Sequence, residues 1–166
     1  AVNYQSIGSS GGIKQIKAKT VDFGATDAPM SGVEVSEAGM VQFPAIIGGV
    51  VAIYNVEGIA SGAMKLDGVT LADIFMGNIT KWDDAKVAAL NPDLKLPNQY
   101  ITVSHRADGS GTTSVFTEYL SMMSKDFADT VGVGKAVKWP ADASVGGKGN
   151  AGVAANVEKI KGSIGY

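Results

Sequence analysis

Arg106, Asp108, Ser110 and Thr112 lie together in Arg106-Ala107-Asp108-Gly109-Ser110-Gly111-Thr112. A guanidinium, a carboxylate and two hydroxyls around a Gly-Ser-Gly turn suit the holding of an oxyanion. The stretch follows a β-like run, Tyr100-Ile101-Thr102-Val103, and opens a helix-like run from Ser114 to Met123. The first N–H groups of a helix have no intrahelical acceptor, and the helix dipole adds partial positive charge at that end. A strand running through a glycine turn into a helix therefore gathers several donors at one point. Asp108, two residues beyond Arg106, is placed to hold the guanidinium beside the turn.

A second stretch repeats the design. Gly8-Ser9-Ser10-Gly11-Gly12 follows the strand-like Val2–Ile7 and precedes Ile13–Lys19, a short helix pattern with Ile13 and Ile16 on one face. Two such elements suggest two half-sites closing on one anion. Asp27, in Gly24-Ala25-Thr26-Asp27-Ala28-Pro29, stands at a strand end. Its ordinary use would be a turn cap. In an anion site an ionised carboxylate, which can only accept, makes sense when the ligand itself carries a proton. It would repel an anion with no proton to give.

Other motifs read as structural. Gly8–Gly12 is not a Walker loop, because that spacing needs glycine where Ile13 stands. Gly147-Lys148-Gly149-Asn150-Ala151-Gly152 matches Gly-x-Gly-x-x-Gly but lacks a clear preceding strand, so it reads as a decoy at a helix start near the surface. His105 alternates to the face opposite Arg106 and reads as a packing or supporting residue. Trp82 and Trp139 read as packing, Met122 and Met123 as helix-face or gap-filling residues. Asn78-Ile79-Thr80 is a chance match to a glycosylation acceptor.

Composition narrows the function classes. The chain has 166 residues, 45% hydrophobic and 18% charged, as a globular protein of one domain or two small lobes has. Its 22 glycines cluster in turns without a period, which fits an α/β protein. The net charge is −2, with no basic cluster, which argues against nucleic acid. There is no cysteine, so disulfides, thiolate metal sites and a cysteine nucleophile are excluded, and the single histidine makes a multi-histidine metal site hard to build. No cofactor and no metal are expected. Ser110 has the turn of a nucleophile but no evident partner base, so an enzyme is not expected. The longest apolar run, Phe43–Tyr54, holds Pro44, Gly48 and Gly49 and is too short to span a bilayer, so a soluble chain is expected.

Along the chain the pattern reads strand Val2–Ile7, helix Ile13–Lys19, strand Val21–Ala25, loop Thr26–Ser36, an apolar run Gln42–Ile47 and strand Val50–Tyr54. Then come helices Leu71–Met76 (capped by Thr70) and Trp82–Leu90, strand Ile101–Ser104, helices Ser114–Met123 and Lys125–Thr130. Strand or loop at Ala136–Pro140, a glycine-rich loop at 143–150, helix Gly152–Lys161 and a strand at Ser163–Tyr166 complete it. The βαβ order favours a parallel sheet with helices on its faces. Both ends read as cut within elements, and the chain is expected to be a piece of a longer protein.

The residues in combination resemble the periplasmic phosphate-binding proteins of bacterial phosphate ABC transporters. The matching stretches are 4–12, 21–29, Phe43-Pro44 with Gly48-Gly49-Val50-Val51, Lys81-Trp82-Asp83-Asp84, 106–112, Val137-Lys138-Trp139-Pro140 and 146–150, in that order over the whole chain. The resemblance implies an α/β, two-lobe periplasmic-binding-protein (Venus-flytrap) fold, truncated at both ends, whose lobes close on dehydrated phosphate. Residues 1–50 would be part of the first lobe and 51–166 most of the second. Ser9 would donate from the first lobe, and Asp27 would accept the phosphate proton. Arg106, held by Asp108, would contact phosphate oxygens, with Ser110, Gly111 and Thr112 donating from the helix start. The implied partners are inorganic phosphate and the ABC permease, in the periplasm or on the extracytoplasmic surface. The family's opening strand and first phosphate-binding turn lie outside this chain, so weaker phosphate binding and exposed apolar surface are expected. A site for another tetrahedral oxyanion, or an adhesion or scaffold role for the same fold, are the alternatives.

Overall fold

Val103 and Ile164 stand side by side in register at the centre of a four-stranded sheet, and both are almost wholly buried. The computed structural model describes residues 2–166. Its elements, in chain order, are α1 Gly8–Lys17, α2 Gly32–Glu37, β1 Ile53–Asn55, α3 Gly68–Met76, α4 Ala85–Leu90, β2 Thr102–Arg106, α5 Gly111–Met123, α6 Lys125–Thr130, β3 Ser144–Gly147, α7 Gly149–Lys159 and β4 Ser163–Gly165. The sheet order is β1-β4-β2-β3. β2 is parallel to both β3 and β4, and β1 is antiparallel to β4. The parallel pairs follow the β–α–β rule, with α5 and α6 leading from β2 to β3 and α7 leading from β3 to β4.

The apolar core is drawn from Val56 to Tyr166. Phe75, on α3, is fully buried, and its ring meets those of Phe116, Trp139 and Tyr166 at centroid distances of 4.8, 5.4 and 5.9 Å. Trp82 is also sealed, and its indole N–H donates to the Gly162 carbonyl at 2.9 Å. Both tryptophans therefore pack. Residues 2–51 contribute little to the core, with only Ser9, Ala28 and Met30 buried.

Several elements differ from expectation, each for a local reason. Val2–Ile7 and Val21–Ala25 form no strand among the described residues. Backbone N–H and C=O groups in a strand need a neighbour to pair with, and β-rich composition supplies none. Of the apolar stretch at 42–54, only Ile53 and Tyr54 find a partner, in β4. The rest is irregular and, apart from the half-buried Ala52, exposed, with Phe43 at 76% and Ile46 at 92%. α1 begins at Gly8, so the glycine-serine turn is itself the first turn of the helix. Thr26–Ser36 is not all loop: Ser31 and Glu34 form a capping box that starts α2. Asp67, not Thr70, caps α3; its carboxylate accepts the Thr70 N–H at 2.7 Å. Asp84 caps α4, which starts after Trp82. The glycine-rich loop expected at 143–150 contains β3 and the first turn of α7. Backbone pairing with β2, Val103 against Ser144 through Arg106 against Gly147, makes this strand without any apolar alternation.

Phe75→Ala should lower unfolding stability by about 3–5 kcal/mol, whereas Phe43→Ala should change it by less than about 0.5 kcal/mol. Denaturant unfolding of the two variants beside the parent checks this. Equal losses would mean that the exposed segment is packed.

Candidate functional site

β2 ends at Arg106, whose side chain is 5% exposed. A buried guanidinium needs a counter-charge and acceptors for its N–H groups. Asp108 supplies both: Nε donates to Oδ1 at 2.7 Å and Nη2 to Oδ2 at 2.6 Å, a two-point fork. The hydrogen bond from Arg106 holds the Asp108 carboxyl well below its usual range, at about 2, helped by the Gly149 N–H at 3.0 Å and opposed by burial. Asp108 in turn pushes the Arg106 pKa up. Nη1 donates to Asn150 Oδ1 at 2.6 Å, in the first turn of α7.

α5 starts five residues after Arg106, capped by Ser110. Ser110 Oγ accepts the Thr113 N–H at 3.1 Å, and the Ser110 N–H donates to the Lys135 carbonyl at 2.8 Å. Among the first-turn donors of α5, the N–H groups of Gly111 and Thr112 have no acceptor within the helix. The Tyr166 hydroxyl braces this turn from behind. It accepts the Arg106 N–H at 3.3 Å and shares a hydrogen bond with Thr113 Oγ1 at 2.8 Å. Burial pushes its pKa up, so it stays a neutral phenol. Ser110 is fully buried, so what it can offer is its O–H at the helix start.

The other half-site meets this one directly. Ser9, buried in the first turn of α1, accepts the Asp27 N–H on its Oγ at 3.2 Å. Thr112 Oγ1 donates to Asp27 Oδ2 at 3.2 Å, and the Ser10 N–H donates to the Gly109 carbonyl at 3.1 Å. One of the α1 donors is thus spent on the 106–112 turn itself. Gly111 lies so close that a Cβ there would meet Ser9 Oγ, Asp27 Cβ at 2.8 Å and Ala28 N at 2.9 Å. Ser9, Asp27, Arg106 and Asp108 line an open cleft of about 1160 Å³. Gly111 and Thr112 adjoin it through their contacts with Ser9 and Asp27, and Ser110 precedes them in the chain; none of the three lines it.

All the expected site residues are therefore neighbours: Ser9, Asp27, Arg106, Asp108, Ser110, Gly111 and Thr112. The His105 ring lies 5.9 Å from that of Trp139, and its Nδ1 meets the Arg106 backbone carbonyl at 3.0 Å. Gly149 and Asn150 are the addition. The Gly-x-Gly-x-x-Gly run that holds them does follow a strand, β3, and it grips the Arg106–Asp108 pair. The signal available in sequence was a third glycine-rich helix start with a short polar side chain in its first turn.

A family model described as the PBP superfamily domain matches residues 1–166. The chain belongs to the PBP superfamily. A "Phosphate-binding protein PstS" of Xylella fastidiosa strain 9a5c is 54% identical over 165 residues, 99% of this chain and 45% of that one. The protein of the same name from Haemophilus influenzae is 56% identical, over 99% of this chain and 49% of its own. Among solved structures, a high affinity periplasmic phosphate-binding protein (PfluDING) with bound phosphate superposes with a TM-score of 0.69 at 22% identity, covering 99% of this chain and 49% of that one. This PBP-superfamily chain thus has the α/β fold of two-lobe periplasmic binding proteins and spans about half the length of the relatives it matches.

The Asp108 shift fixes the sign of an acid effect. Its folded pKa is depressed, so its contribution is complete above about pH 4 and is lost as pH falls towards 2. Solvent screening at this partly exposed carboxylate reduces the amount to on the order of 1 kcal/mol. The parent should lose that much more stability than Asp108→Asn between those pH values, read from thermal midpoints. Parallel acid profiles would remove the pair from the stability account.

Proposed function

We propose that this chain carries the phosphate-gripping site of a periplasmic, non-enzymatic binding protein that delivers inorganic phosphate to an ABC permease. Residues 1–50 form part of one lobe and 51–166 most of the other. What supports this division is the apolar core, which gathers from Val56 onward. The relatives named phosphate-binding proteins at 54–56% identity support the ligand.

The observation that carries the reading is the position of Asp27. A carboxylate meets Thr112 at a helix start and shares its cleft with Arg106. A carboxylate there is selective, because it accepts and does not donate. Phosphate near neutral pH keeps at least one proton to give it; sulfate keeps none and is repelled. Arg106 with Asp108 behind it, Ser9, Ser110, and the N–H groups of Gly111 and Thr112 supply donors to the remaining oxygens. No proton has to move for binding, and the arrangement suits retention more than bond cleavage. Ser110 Oγ is committed to the Thr113 N–H and His105 lies against Trp139, so no base stands beside the hydroxyl.

Calorimetry of the chain with phosphate and with sulfate tests the reading. Phosphate should bind and sulfate should not compete. Asp27→Asn should narrow the phosphate-to-sulfate preference by at least tenfold, because the amide can donate where the carboxylate only accepted. Arg106→Ala should weaken phosphate binding roughly 10- to 100-fold, the worth of a hydrogen bond to a charged group. A preference unchanged in Asp27→Asn would sink the assigned role of that carboxylate.

A further inference from the structure

Arg106 has five N–H groups, and their partners can be followed individually. Two are held by the Asp108 fork, through Nε and Nη2. A third, on Nη1, is held by Asn150 Oδ1 at 2.6 Å. One N–H on each Nη remains for a ligand. Two parallel hydrogen bonds to one carboxylate leave the guanidinium free to rock about the line joining the two groups. A third contact on the opposite side of the group removes that freedom.

Resting on the phosphate reading above, we infer that Asn150 is a positioning residue, which fixes the plane of the Arg106 guanidinium and so the direction of its two remaining N–H groups. Asn150 can do this because of where α7 starts. β3 lies beside β2 with Gly147 in register with Arg106. α7 then turns back so tightly that a Cβ on Gly147 would meet the Val153 nitrogen at 2.5 Å. The same first turn gives the Gly149 N–H to Asp108 Oδ1 at 3.0 Å. One helix start thus holds the carboxylate by its backbone and the guanidinium by a side chain. Asn150 is itself exposed, and the cleft that Arg106 lines runs past it. A neutral amide oxygen suits the task, since a second carboxylate there would compete with the anion for the guanidinium.

The test uses Asn150→Ala and Asn150→Asp in the full chain, with two readouts. The first needs no ligand: proton–nitrogen NMR of the Arg106 side chain, where a held Nη1 gives separate, slowly exchanging signals. Asn150→Ala should lose the separate Nη1 signals, and Asn150→Asp, which keeps an acceptor, should retain them. The second is inorganic phosphate affinity. Asn150→Ala should weaken it about tenfold, and Asn150→Asp by at least as much because of the added charge. Unchanged Nη1 signals in Asn150→Ala would overturn the inference, as would an affinity within twofold of a phosphate-binding parent. If Asn150→Ala does not fold, Asn150→Asp decides by the ligand-free readout: retained Nη1 signals support the assignment, and their loss overturns it. A folded parent that binds no phosphate would defeat the phosphate reading, while the NMR arm still settles the positioning.

Discussion

The guanidinium of Arg106 is the constraint around which the rest is arranged. A charge at that depth is costly unless every nearby group compensates it. Asp108 forks onto it, Asn150 takes a third N–H, and the Tyr166 hydroxyl accepts its backbone N–H. These partners come from three places in the chain. They meet because β2 is an inner strand, with β4 on one side and β3 on the other. β4 delivers Tyr166, and the turn after β3 delivers Gly149 and Asn150. The register of a four-stranded sheet therefore decides the setting of one side chain.

Helix starts do the rest. α1, α5 and α7 all begin within reach of the same cleft. α5 presents uncommitted N–H groups, α1 presents Ser9, and α7 is already engaged with the Arg106–Asp108 pair. Their three roles differ although their sequences look alike: a glycine-rich turn followed by a helix. What separates them is what else stands in front of each first turn. Gly109 takes one α1 donor, and Asp108 takes one from α7.

That difference marks how far the sequence could be read. The 106–112 turn, the helix behind it and the pairing of Arg106 with Asp108 are local, and spacing alone disclosed them. Ser9 and Asp27 were legible as residue types in two half-sites, but the direct contacts of Asp27 with Ser9 and with Thr112 join distant parts of the chain and are not written in local spacing. Strand assignments failed at 2–7 and 21–25 because pairing partners are not written in the strand's own residues. β3 was missed for the converse reason, since its backbone pairs well while Ser144-Val145-Gly146-Gly147 shows no apolar alternation. Asn150 was hidden in a motif better known from dinucleotide binding, and only its distance to Arg106 revealed its place.

Two cations line the cleft, Arg106 and Lys148, and three carboxylates, Asp22, Asp27 and Asp108, so it holds no excess of positive charge. The whole chain carries a net charge of −2. An approaching anion therefore meets no long-range pull, and its arrival is governed by plain diffusion and is little altered by added salt. Discrimination among anions must then lie in how long each stays, so a preferred ligand is recognised by its slow departure.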